Sequence, residues 1–226
     1  MIKNPLLFLT SIVFLLGFIL LSYLVHKDIL NQLDFDTTVR LQDNLTRRVD
    51  PYFSLLSIIG NFEILTSLLI VLLILLRKFI TSILFVGGYI VFHIIEILGK
   101  TFIHHPPPPE FMLRTERYIS FPQFHVRSEF SYPSGHSGRT IFLSFIIISL
   151  ILTSRMHKRF KKLLTILVIL FDIAMLLSRV YLGEHWLTDV VGGSLLGAAI
   201  FFLSYSFLSV QLFAFKRQRK KDKRFS

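Results

Sequence analysis

Cysteine is absent from the 226-residue chain, which excludes disulfides and thiolate metal sites. Acidic residues are few, 14 against 25 Lys and Arg, leaving a formal net charge of +11 at pH 7. Nor do carboxylates cluster near the polar motifs described below, so the sequence offers no ligand set suited to magnesium. Internal repeats and long linkers are lacking too, and residues 1–226 read as one membrane-embedded domain. What the chain has instead is apolar residues: 53% of it is hydrophobic and its mean hydropathy is +0.63. That excludes an ordinary soluble domain.

A hydrocarbon core takes about 20 apolar residues per helical span. The stretches that meet or approach this length are 5–25, 53–76, 79–98, 140–153, 163–177 and 190–214. The fourth and fifth are short and are expected to borrow interfacial residues at their ends. The expected fold is therefore all-α, a six-transmembrane helix bundle. The first run exceeds the roughly 7–15 residues of a signal-peptide core and lacks a small-residue cleavage pattern, so it reads as a retained anchor.

Arg77-Lys78, the loop 155–162 and the tail 216–226 fall on one side if the helices alternate. Cytoplasmic loops carry the excess of Lys and Arg, so both termini are expected inside. The loops 26–52 and 99–139 and the turn 179–189 are then expected outside. The basic tail directly follows an apolar span, and it reads as a topology signal that attracts anionic membrane lipid rather than as a nucleic-acid patch. The loop 101–133 carries Pro106-Pro107-Pro108-Pro109, which must be extended, and a loop of this length is a candidate lid or binding loop. Gly193 and Gly197 form a small-xxx-small pair that permits close helix approach. Packing within the bundle is favoured over a dimer seam, and the oligomeric state stays open.

Ionisable side chains at membrane depth point to function by default. His93, Glu96 and Lys100 are spaced by three and four residues and share one helical face. Glu96 is placed to hold the Lys100 ammonium or merely to neutralise it, while for His93 and Glu96 themselves a purely structural buried pair is the favoured reading. Asp172 and Arg179, seven residues apart, also share a face. Asp172 is expected either to support Arg179 or to bond a neighbouring helix.

Ser134-Gly135-His136 precedes an apolar run and so lies at a helix N-terminus, where free amides and the helix dipole favour an anion. A simple serine cap with an interfacial histidine is the competing reading. His185 and Asp189 are one helical turn apart, which lets the carboxylate fix the imidazole tautomer and leave the other nitrogen free. A turn at Gly183 brings Arg179 back beside His185, where its planar fork suits two phosphate oxygens.

On these residues the chain resembles the type-2 phosphatidic acid phosphatase superfamily, integral-membrane lipid phosphatases related to vanadium haloperoxidases. The family pattern joins three parts. They are a lysine with Arg-Pro beginning seven residues later, a Pro-Ser-Gly-His, and a Ser-Arg with a histidine six residues after the arginine and an aspartate four beyond. Pro133 to His136 supplies the second part, and Ser178, Arg179, His185 and Asp189 supply the third. Lys100 matches the first part, but Pro107 stands where the family has arginine. Losing a hydrogen bond to a charged ligand costs roughly 1.5 to 3 kcal/mol, so a substitute is expected. Arg139, one turn after His136, is the first candidate, and His105 is the second.

The resemblance implies a metal-independent lipid phosphatase with its active site at the outer membrane face and no cofactor. It implies that His185, oriented by Asp189, attacks phosphorus, and that His136 protonates the leaving oxygen. Lys100, Ser134, Gly135, Arg179 and, as the substitute, Arg139 would hold the phosphate oxygens. The implied partner is a lipid phosphate such as an isoprenyl diphosphate, phosphatidylglycerol phosphate or phosphatidate. The alternative is a catalytically weak lipid-phosphate binding or transport protein on the same fold.

Overall fold

The computed structural model describes residues 4–115 and 130–222, with side chains as far as residue 208. Residues 116–129 of the expected lid loop and 223–226 of the basic tail lie outside the described residues. Among the described residues the regular structure is helical throughout. The helices are α1 (Pro5–His26), α2 (Asn31–Asn44), α3 (Asp50–Ile59), α4 (Phe62–Leu76), α5 (Phe79–Phe102), α6 (Gly135–Thr153), α7 (Lys158–Tyr181) and α8 (Leu187–Asp222).

Local chemistry sets several of the boundaries. The Asn4 side chain accepts the Leu7 amide at 3.3 Å and Pro5 opens α1, a start that satisfies one orphan donor and uses proline where its missing amide costs nothing. Ser134 caps α6. The His157 ring accepts the Arg159 amide at 3.3 Å to open α7.

Five helices are long and apolar enough to cross a membrane: Pro5–His26, Phe79–Phe102, Gly135–Thr153, Lys158–Tyr181 and Leu187–Leu208. The second expected span, 53–76, is broken. It corresponds to Arg47–Ile59 joined to Phe62–Leu76 with a bend of 53°. The break falls at Gly60-Asn61, where Asn61 takes an extended backbone (φ −60°, ψ 152°), so the helical hydrogen-bond ladder stops and restarts. The expected spans were also too short at several ends. Lys100 lies in the last turn of α5, and α6, α7 and α8 begin at 135, 158 and 187, because interfacial polar residues continue these helices past their apolar stretches.

A second correction concerns residues 26–52, expected as an outer loop. They contain α2, whose composition is polar and whose Asp34 and Thr38 are nonetheless buried. No apolar run marks this helix, and it is held by polar contacts to the ends of other elements. Gln42 donates to the carbonyls of Met112 (2.7 Å) and Tyr181 (2.8 Å).

The bundle is built around α6 and α8, which are the most enclosed of the spans, while α1, α4, α5 and α7 turn apolar side chains outward. Leu9, Val13 and Leu16 of α1 and Ile74 and Leu75 of α4 are exposed, as suits helices that face lipid. The central pair approaches closely through glycine: a Cβ at Gly193 would meet the Ser134 carbonyl and one at Gly197 the Gly138 carbonyl. The small-residue pair thus packs within the bundle. α1 is integrated through Ser11, which donates to the Ala199 carbonyl at 2.9 Å, and through stacking of Phe14 on Phe202.

This topology gathers the C-terminal ends of α5 and α7 and the N-terminal ends of α6 and α8 at one end of the bundle. Arg77-Lys78 and the 154–157 turn lie at the other end.

Candidate active site

The first turn of α6 is fixed from two sides. The Ser134 hydroxyl accepts the Ser137 amide at 3.4 Å and its hydroxyl at 3.1 Å. The Ser134 amide donates to the Asp189 carbonyl at 2.9 Å, which latches this turn to the start of α8. His136, the second residue of α6, points its Nε2 at Asn61 Oδ1, 3.1 Å away. Its ring lies 6.4 Å from the His185 ring, centroid to centroid, at 58°.

His185 reaches that position through a turn. Gly183 has φ +68°, a left-handed conformation that glycine adopts without cost. The amides of Glu184 and His185 both donate to the Arg179 carbonyl at 3.2 Å. The chain therefore folds back at the end of α7 and enters α8 with His185 beside Arg179. Asp189 Oδ2 lies 3.2 Å from His185 Nδ1 and accepts the Trp186 amide at 3.0 Å. With Nδ1 committed to Asp189, Nε2 is the nitrogen left to react.

Arg179 is wholly buried, and its guanidinium is bonded on each side. It donates to Ser57 Oγ at 2.7 Å, to Ser178 Oγ and to the Glu184 carboxylate. Glu184 also accepts from Thr115 at 2.6 Å and from Ser57 at 3.1 Å. Burial alone would raise the proton affinity of Glu184, but the charge of Arg179 and the hydroxyl donors outweigh it and hold the carboxyl below its ordinary range.

Lys100 completes a second cationic group. Its Nζ donates to Glu96 Oε1 at 2.9 Å, His93 Nδ1 lies 3.0 Å from Glu96 Oε2, and Arg139 Nη1 donates to the same oxygen at 3.4 Å. Glu96 thus gathers Lys100 and Arg139, which lie on different helices. Arg139 is buried and stands over the Phe62 ring at 5.9 Å. Its Nε and the Asn61 Nδ2 are buried donors without a hydrogen-bond partner. Donors left open in this way beside two cations are suited to an anion. His136 sits in the combined field of Arg179, Arg139, His185 and Lys100.

Two sequence expectations change here. Asp172 does not reach Arg179; it accepts from Ser144 of α6 at 2.6 Å, the helix-to-helix bond that was the other reading. His105, the second candidate for the missing arginine, turns its Nε2 to the carboxylates of Asp34 (3.6 Å) and Asp189 (3.5 Å) and to Thr188. Pro107 itself lies in an irregular segment whose neighbour Pro106 accepts the Trp186 indole N–H at 2.8 Å.

Four residues close to these groups carried no assignment in the sequence: Ser57, Asn61, Glu184 and Asp34. Only Asn61 had a local signal, because Gly60-Asn61 interrupts an otherwise apolar run.

A family model described as the PAP2 superfamily matches residues 66–212 of this chain. The chain is 38% identical over 82 residues to phosphatidylglycerophosphatase B of Bacillus subtilis, covering 35% of this chain and 40% of that protein. It is 41% identical over 85 residues to an undecaprenyl-diphosphatase of Sulfolobus acidocaldarius, covering 38% of this chain and 34% of that one. Each match spans well under half of the relative's length. Among solved structures, the fold is similar to that of a transmembrane PAP2-type phosphatidylglycerolphosphate phosphatase from Bacillus subtilis. The TM-score is 0.68 at 21% identity, covering 88% of this chain and 95% of that one. It is also similar to Aquifex aeolicus LpxE, with a TM-score of 0.56 at 21% identity over 76% of this chain and 94% of that one.

Proposed function

This chain belongs to the PAP2 superfamily, and we propose that it is a membrane lipid phosphatase that hydrolyses a phosphomonoester or diphosphate of a lipid through a phosphohistidine on His185. The observation that carries this reading is the pairing of two histidines from separate helices, His136 and His185, with ring centroids 6.4 Å apart and His185 Nδ1 held by Asp189. A phosphoryl group placed between them would meet a nucleophile on one side and a proton donor on the other.

In the first step the His185 Nε2 lone pair forms a bond to phosphorus and the bond to the leaving oxygen breaks. His136, protonated, gives its proton to that oxygen. The imidazole of His185 becomes positively charged as the bond forms, and the Asp189 carboxylate stabilises it. In the second step His136 takes a proton from water, whose oxygen attacks phosphorus and frees Nε2 and inorganic phosphate. Asn61 holds His136 Nε2, so Nδ1 is the nitrogen that handles the proton. Arg179, Lys100, Arg139, Ser134 and the Gly135 amide are assigned to the non-bridging oxygens, where charge accumulates in the transition state.

Arg139 is the proposed replacement for the guanidinium missing at Pro107, supported by its burial, its open Nε and its sharing of Glu96 with Lys100. These cations supply the positive charge that the reaction needs, and the proposed chemistry runs without a metal. Both termini are assigned to the cytoplasm and the site to the extracytoplasmic face, since Arg77-Lys78 and the 155–162 segment lie at the end of the bundle opposite the site. The relatives' names, a phosphatidylglycerophosphatase and an undecaprenyl-diphosphatase, support phosphatidylglycerol phosphate and isoprenyl diphosphate as the first substrates to test, with phosphatidate beside them.

The test is phosphate release from these lipids by purified protein in chelator, beside His185→Ala. Release by the intact protein and none by the variant is the expected result. Absence of release from every lipid by the intact protein would instead favour a lipid-phosphate binding or transport protein.

A further inference from the structure

Behind Asp189 lies a second polar layer that the mechanism above does not use. Asp34, His105, Thr188 and Asp189 are 1%, 2%, 3% and 0% exposed. They come from three places: α2, the segment after α5, and the first turn of α8. Asp34 Oδ1 accepts the Thr188 amide at 2.8 Å, and Oδ2 accepts its hydroxyl at 2.6 Å. A carboxylate from another helix therefore satisfies one of the open amides at the start of α8. His105 Nε2 stands between Asp34 Oδ2 at 3.6 Å and Asp189 Oδ1 at 3.5 Å. That second oxygen of Asp189 has no hydrogen-bond partner among the described residues, while His105 Nε2 is hydrogen-bonded to Thr188 Oγ1 at 3.2 Å.

Two carboxylates buried together are costly unless a proton or a cation stands between them. His105 is the side chain in contact with both. Burial raises the proton affinity of Asp34, the two Thr188 bonds and His105 offset part of that rise, and the nearby Asp189 adds to it. The main chain of His105 is engaged as well, because its carbonyl accepts the Ser131 amide at 3.0 Å and hydroxyl at 3.1 Å. Ser131 lies three residues before Ser134, whose amide is latched to Asp189. One residue thus braces both the anion turn and the carboxylate behind the nucleophile.

We propose that Asp34 and His105 are positioning residues for phosphoryl transfer. His105 Nε2, hydrogen-bonded to Thr188 Oγ1 at 3.2 Å, faces Asp189 Oδ1 at 3.5 Å and attracts it so that Oδ2 stays on His185 Nδ1, and Asp34 fixes both His105 and the turn that carries Asp189. This rests on the phosphatase reading, since the step it serves is the charging of His185 on attack. The charge on Asp189 and the aim of its carboxylate matter most in that step, and less for holding the ground-state lipid. The effect therefore falls on kcat rather than on KM.

The experiment compares purified wild type, Asp34→Asn, His105→Gln, His105→Leu and the Asp34→Asn/His105→Leu double variant in detergent. Phosphate release is measured on whichever lipid the wild type hydrolyses, with thermal unfolding measured beside it. Asn keeps an acceptor for Thr188 but loses the charge. Gln places an N–H near the position of the imidazole Nε2, whereas Leu fills the volume without a donor.

Asp34→Asn and His105→Leu are expected to lower kcat about tenfold or more, with KM within about twofold, as for other partners that orient a reacting group. His105→Gln recovers most of the loss. The double variant falls no further than the weaker single one, because both act through Asp189. Unchanged kcat in Asp34→Asn or in His105→Leu, or losses that multiply in the double variant, would overturn the proposal while leaving the phosphatase reading in place. A wild type that releases no phosphate from any lipid would overturn both. If His105→Leu fails to fold, Asp34→Asn still decides the matter, since an unchanged kcat there overturns the proposal.

Discussion

Asn61 Oδ1 lies 3.1 Å from His136 Nε2, so the bend between α3 and α4 delivers a side chain that sets the orientation of a ring on α6. The two residues are 75 positions apart in the chain. A continuous helix over 53–76 would have no such side chain to offer at this place, since Asn61 sits where the helical ladder is interrupted.

Asn61→Leu should therefore lower kcat by about ten- to a hundredfold, less than the roughly 10²–10⁴-fold that general acid–base catalysis contributes, because the His136 ring is misoriented rather than removed. Asn61→Asp, which keeps the acceptor, should retain more activity than the leucine variant. Steady-state phosphate release by the two variants checks this. Equal activity in wild type and Asn61→Leu would remove Asn61 from the site.

Glu184 gives a stability prediction with a definite sign. Its carboxyl titrates below the ordinary range of about 4.3 in the folded protein. The stabilisation from its pairing with Arg179 is thus fully present above that ordinary value, and it is lost as pH falls through the lower folded-state value. Glu184→Gln leaves the buried Arg179 without its carboxylate and should melt several degrees lower at neutral pH. Breaking a buried pair on one side costs about 3 to 5 kcal/mol. The gap between wild type and variant should shrink as the pH is lowered below about 4, which thermal unfolding across a pH series in detergent would show.

Arg139→Lys tests the replacement for the missing arginine. Arg139 offers a planar fork with an open Nε, which an ammonium cannot reproduce. The loss of one charge-assisted bond, about 1.5 to 3 kcal/mol, predicts a fall in kcat/KM of about tenfold or more. Phosphate release at the wild-type rate would exclude Arg139 from phosphate binding.

Asp172→Asn serves as the contrast. Asp172 accepts from Ser144 at 2.6 Å, and an asparagine oxygen can accept the same hydroxyl. Phosphate release should stay within about twofold of wild type, although Asp172 shares a helix with Arg179.

The parts of the site legible in the sequence are those set by helical spacing. His185 and Asp189, four residues apart, do pair, and Glu96 does bond Lys100 one turn away. The fold class was legible for the same kind of reason, because apolar runs of span length leave few alternatives. What the sequence did not reveal is carried by contacts between distant segments. Ser57 meets Glu184 across 127 residues and Asp34 meets Thr188 across 154. Neither periodicity nor spacing encodes such pairs. α2 was missed because a short polar helix that packs through Asp34 and Gln42 shows no apolar stripe. The bend in the second span was hidden because Gly60-Asn61 is brief and the runs on either side are apolar.

The central claim is that His185 carries the phosphoryl group between the two steps. It is tested most directly by mixing the purified protein with a lipid substrate labelled in the transferred phosphate, quenching in alkali within milliseconds, and mapping the label by mass spectrometry. The expected result is a phosphoryl group on the peptide containing His185, stable in alkali, lost in acid and absent from His185→Ala. Phosphate release that persists in His185→Ala, or label on another residue, would contradict it.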